Sequence, residues 1–113
     1  MINQRVLAEL SQDIGAAATR DFIRGFVAML DGRVTRLRDA LAAREMETAR
    51  VAAMSLQSSA VMVGAEPLGE VAKDLLAALD ADQYDAACDV TVELFVLSAA
   101  TRVALKELVS MRP

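Results

Sequence analysis

A chain of 113 residues, 55% hydrophobic and with a net charge of −4, is long enough to bury one core and too short for two domains of ordinary size. The acidic balance, with no extended basic tail, excludes a general nucleic-acid binder, which holds phosphates through clustered Lys and Arg. Two prolines, five glycines and 25% charged residues in Ala-rich segments exclude a disordered or strand-rich chain and predict one all-α domain over 1–113, its core built from Leu, Val, Ala and Met.

In chain order, residues 3–13 place Val6, Leu7 and Leu10 on one face, a short amphipathic helix ending near Gly15 that must pack on something to persist. From Thr19 to about Ala43 a long helix carries Phe22, Ile23, Phe26, Met29, Leu30, Arg33, Val34, Leu37 and Leu41 at spacings of three and four, with Thr19 or Asp21 as a candidate cap. Gly25 and Gly32 sit inside it at a cost in helix propensity, which predicts close packing against a neighbour there.

The next helix, 47–63, buries Ala49, Ala52 or Ala53, Leu56, Ala60 and Val63 and stops at Gly64. Pro67 suits the first turn of a helix over 66–80 whose inward face is Leu68, Val71, Leu75, Leu76 and Leu79. After the polar turn "DADQYD", a last helix over 83–111 bears two apolar stripes: Tyr84, Cys88, Val92, Phe95 and Ala99, and Val90, Leu94, Leu97, Leu105 and Leu108. It is nearly apolar all round between Val92 and Ala100, so the short first helix is expected to cover its second face. Short turns between four substantial helices predict an antiparallel up-and-down four-helix bundle with a short extra N-terminal helix.

Charge is uneven. Acids dominate 66–93 and arginines 33–50, which predicts an acidic end and a mildly basic end of the molecule. Cys88 is the only cysteine, so no internal disulfide forms and a reducing compartment is expected. The start "MINQRVLAELSQDIG" lacks the apolar core of a secretion signal, and no run reaches the roughly 18–20 residues that span a bilayer. A cytoplasmic protein without membrane association is the expectation.

On the 47–63 helix a second face, Glu47, Arg50, Val51, Met54, Gln57, Ser58 and Val61, is predicted to be exposed. The segment from Met54 reads "MSLQSSAVMVGAEPL" and resembles the signature helix of histidine-phosphotransfer (HPt) domains, roughly His-x-Leu-Lys-Gly-Ser-(Ser/Ala)-x-x-x-Gly-Ala-x-x-Leu. Leu56, Ser59, Ala60, Gly64, Ala65 and Leu68 match in register, and the likeness extends to "DFIRGF", "RLRDALAARE" and the long helix after Leu79. The three functional positions differ. Met54 stands where the family has its phosphorylated histidine, Gln57 where it has Lys, and Ser58 where it has Gly, and the chain contains no histidine.

The resemblance therefore implies a degenerate member, and the chemistry of the replacements says what is lost. Phosphohistidine is an N–P phosphoramidate of transfer potential comparable to an aspartyl phosphate; a thioether is no such nucleophile at phosphorus. Ser55, Ser58 and Ser59 have no histidine to activate them, and a serine ester would trap the group at low energy. Without the Lys, positive charge beside the transferring phosphoryl is missing. What remains is a docking face with Val51, Met54 and Val61 at an apolar centre, rimmed by Arg50, Gln57 and Ser58. By resemblance its partner is a response-regulator receiver domain or a histidine kinase.

No other chemistry emerges. Cys88 lies at helical spacing with Tyr84, Val92 and Phe95, as a small core residue does, with no basic neighbour to lower its pKa. No metal or cofactor is expected: histidine is absent, the Glu-x-x-His pairs of di-iron bundles are missing, and Asp80, Asp82 and Asp85 lack the Gly and terminal Glu of a calcium loop. The alternative from another class is a structural module that forms a homodimer through its last helix.

Overall fold

The computed structural model describes residues 2–110 and forms them into α1 (Gln4–Ile14), α2 (Ala16–Ala42), α3 (Met46–Met62), α4 (Glu66–Asp80) and α5 (Tyr84–Ser110). The predicted end of the last helix, at 111, lies outside the described residues. No strand occurs among the described residues, and the molecule measures 45 × 19 × 19 Å, the long dimension matching a 27-residue helix at about 1.5 Å per residue. α3 packs on α2 and α4, and so does α5, so α3 and α5 stand diagonally across an antiparallel four-helix bundle.

The turns explain why the chain reverses where it does. After α2, α3 and α4 the backbone makes the same closure: Arg44, Gly64 and Asp82 take positive φ (58°, 76° and 56°), and the next amide donates back across the last turn. These bonds run from Glu45 to Ala40, Ala65 to Ala60 and Gln83 to Ala78, at 2.8–2.9 Å. They satisfy carbonyls that the helix end would otherwise leave open. The residue that closes each turn then accepts the first bond of the next helix, as Glu45 does from Ala49.

The core is aliphatic. Leu30 and Leu37 of α2, Leu56 of α3, Leu68 and Leu75 of α4, and Leu94 and Leu105 of α5 are fully buried, with Ala49, Ala53 and Ala60 bringing α3 close to its neighbours. Both Ala52 and Ala53 face inward, and of the predicted α4 face Leu76 and Leu79 are half-buried.

Four expectations need correction. α2 begins at Ala16, because Gly15 at φ 90° and ψ 160° makes the turn alone and three alanines extend the helix toward it; of the two supposed caps, Asp21 lies inside the helix, and Thr19 is buried and donates to the Gly15 carbonyl at 2.8 Å. Gly25 and Gly32 have nothing within 4 Å of where a Cβ would lie, so they mark no close packing; the glycine inside a helix that is in contact is Gly69 of α4, whose added Cβ would lie 3.7 Å from Ala60 and Val61.

The acidic and basic segments do not occupy opposite ends either. Antiparallel topology brings the ends of α2 and α4 and the starts of α3 and α5 together, so Arg50 pairs with Asp80 at 2.8 Å and Arg44 stacks on the Tyr84 ring at 3.8 Å. Finally, α1 does not cover the free face of α5. It packs on α2 and is anchored by Asn3, whose amide donates to the Gly64 carbonyl (2.7 Å) and whose side chain donates to Glu66 (2.9 Å). At about 16 Å long and joined to α2 through Gly15, it stays at the end of the bundle near Leu108 and Val109. Val90, Leu94, Leu97, Leu105 and Leu108 turn at least partly inward, and Val92 and Ala99 stay exposed.

Candidate functional site

Helix α3 points its alanines and Leu56 into the bundle because they recur at three and four residues, which leaves the opposite side to solvent. Met54 is at the middle of that side, 47% exposed, with Val51 (58%) and Val61 (60%) one to two turns away and Ser58 beside it, also exposed. The six residues singled out, Arg50, Val51, Met54, Gln57, Ser58 and Val61, thus share one outward face. Arg50 and Gln57 are half-buried along its α4 edge.

Each edge of the face is fastened to a neighbouring helix. On the α4 side, Arg50 Nε donates to Asp80 Oδ1 at 2.8 Å, and that bond raises the guanidinium's affinity for its proton above the ordinary value, with the Asp80 charge adding to it. Arg50 is therefore a strut between helices more than a free positive rim. Gly69 allows α4 to approach the Gln57 carbonyl and the Val61 side chain closely. Between these two contacts the register of α3 and α4 sets Lys73, exposed, at the level of Met54 and Gln57.

On the α2 side Arg33 Nη1 donates to Ser59 Oγ at 2.6 Å, while its Nη2 reaches Met29 Sδ at 3.7 Å. A shallow groove follows, lined by Arg33, Arg36, Glu47, Thr48, Val51 and Ser55. Met29 (49% exposed) and Met62 (55%) add apolar surface at the lower end of this edge. In the sequence Met29 and Arg33 read as part of the apolar stripe of α2, Arg36 only as one of the arginines of the basic 33–50 segment, and Met62 gives no signal. Helical spacing puts Met29 and Arg33 on the inward side by period alone; only the register of α2 against α3 shows that they flank the Met54 face.

Chemically the face offers thioethers, hydroxyls and guanidinium groups. Its oxygen nucleophiles are the serine and Thr48 hydroxyls and the Glu47 carboxylate, and with no histidine anywhere in the chain none has an imidazole base. Among the described residues no three of His, Cys, Asp and Glu gather as a metal site, and no helix is long and apolar enough to cross a membrane. Cys88 is a free, half-buried thiol.

Comparison with known proteins bears on the family and the fold. The profile of the Hpt domain family matches residues 21–110, from the first turns of α2 to the end of α5. The crystal structure of histidine-containing phosphotransfer protein B from Pseudomonas aeruginosa PAO1 superimposes with a TM-score of 0.92, covering 99% of this chain and 96% of that one, at 21% identity. Likeness at that identity speaks for the fold. No curated protein sequence matches the chain.

Proposed function

The chain belongs to the Hpt domain family, and from that premise we propose that it is a pseudo-phosphotransfer protein: it docks a receiver domain or a histidine kinase of a phosphorelay and modulates signalling by occupancy, without passing a phosphoryl group. Hpt domains act as phosphoryl carriers rather than as catalysts, and a carrier needs a residue that holds the group. In this reading Met54 occupies the place of the family's histidine, with Gln57 and Ser58 in the places of its Lys and Gly, and the chain is not an enzyme.

The observation that carries the reading is an exposed apolar-centred face on an Hpt scaffold in a chain that has no histidine at all. Val51, Met54 and Val61 supply the desolvatable centre, and Gln57, Ser58, Lys73 and the Arg33–Arg36 edge supply a polar rim, the layout common to protein interfaces. A methionine at the centre adapts to a partner's shape where a histidine would react with it. Receivers and kinases of this kind work in the cytoplasm, which is where the reading places the protein.

The test is an incubation with phosphorylated receiver domains of the same organism. Retention of the receiver on the chain with no acid-labile label on the chain is the expected outcome. Label on the chain would restore phosphoryl transfer, and failure to retain any receiver or kinase would remove the docking role.

A further inference from the structure

Helix α5 has an outer face that nothing in the bundle covers. Val92, Val96 and Val103 are 63%, 67% and 53% exposed, and Ala99 lies exposed between them. Their spacing of four, three and four is that of a helix seam made to meet another helix. Below the seam are Asp85 and Asp89, and above it Lys106, all exposed.

We propose that this face pairs with a second copy of the chain, α5 against α5 in antiparallel sense about a two-fold axis passing between Leu97 and Ser98. Such an axis sets Val92 against Val103 of the second copy and Val96 against Ala99, so the apolar positions meet in consecutive layers. It also sets Asp89 against Lys106 of the other copy, with Asp85 one turn away from the same ammonium, and symmetry repeats the pair at the far end. The face carries its own complement. A parallel pairing opposes Asp89 to Asp89 and Lys106 to Lys106, which like-charge repulsion disfavours. The outward face of α3 has no such self-complementarity, since Glu47 at one end meets no exposed Lys or Arg at the other, Ser58 to Met62.

Because α5 stands diagonally from α3, the pairing leaves both Met54 faces outward, and the dimer would present two docking faces on opposite sides. The pairing itself does not depend on what those faces bind. One helix on one helix buries less than the about 800 Å² per partner of stable complexes, so a weak, concentration-dependent dimer is expected.

Sedimentation velocity of the full chain from about 5 µM to 1 mM tests this, with circular dichroism confirming that each variant keeps its helices. The expected result is a concentration-dependent dimer whose midpoint rises about 10-fold or more in Val96→Glu, about 3–10-fold in Asp89→Lys, and returns toward wild type in the double variant Asp89→Lys with Lys106→Asp. A chain monomeric up to 1 mM overturns the proposal, as does a dimer indifferent to Val96→Glu. A double variant no better than Asp89→Lys alone overturns the antiparallel register.

Discussion

Replacing Gly64 by alanine probes the joint where α1, α3 and α4 meet. The residue sits at φ 76°, so any side chain strains the backbone by about 1–2 kcal/mol. A Cβ there would lie 2.6 Å from the Asn3 carbonyl oxygen and 3.3 Å from the Val6 Cβ. The obstacle is main chain, so it cannot rotate away; the α1 anchor must shift, weakening the 2.7 Å bond from Asn3 to the Gly64 carbonyl, worth about 1 kcal/mol. Alanine recovers about 0.5 kcal/mol by restricting the unfolded chain. The expected net loss is about 1.5–2.5 kcal/mol, a large part of the 5–15 kcal/mol typical of a small domain. Gly32→Ala is the internal control: helical, exposed and with open space around it, it should gain about 0.5–1 kcal/mol. Urea unfolding followed by far-UV dichroism measures both. A Gly64→Ala loss below about 0.5 kcal/mol, or the same sign for both variants, refutes the reasoning.

Three further outcomes follow from named side chains. Ser98 Oγ is buried with no hydrogen-bond partner among the described residues, so Ser98→Ala should be neutral or stabilise by up to about 1 kcal/mol in the same denaturation assay, against the usual loss for a core change. The Tyr84 phenol is held above its ordinary pKa, first by its hydrogen bond with Cys88 and then by burial, and it also donates to the Leu41 carbonyl at 2.7 Å. A raised pKa in the folded state means its stabilisation is complete below the unfolded value near 10 and is lost as pH climbs through the folded one, so alkaline unfolding should be steeper in wild type than in Tyr84→Phe. The triple variant Met54→His, Gln57→Lys and Ser58→Gly should accept acid-labile label from a phosphorylated receiver; a triple variant that binds the receiver and stays unlabelled would put the assignment of Met54 in error.

Much of the fold could be read from periodicity because helix burial repeats locally. Leu56, Ala60 and Val63 announce an inward stripe, and Gly64 followed by Ala65 and Pro67 announces the turn, all within one segment. Features that depend on which helices become neighbours could not be read that way. Arg50 reads as a free cation until α4 returns Asp80 beside it, and Arg33 reads as part of a buried stripe until Ser59 faces it across the groove. Arg44 and Asp82 give no sign of positive φ, since the conformation is imposed by closing the same turn that glycine closes at position 64. The centre of the candidate face, Met54 with Val51 and Val61, was legible; its edges, Met29, Arg36, Met62 and Lys73, required the register of α2 and α4 against α3.

The central claim is docking through the Met54 face. A calorimetric or fluorescence titration of the chain with receiver and kinase domains from its own organism, repeated with Met54→Asp, tests it most directly. The account predicts at least one partner binding in the micromolar range, weakened about 10-fold or more by a carboxylate placed in the apolar centre. Binding that Met54→Asp leaves unchanged, or no binding by any receiver or kinase, would contradict it.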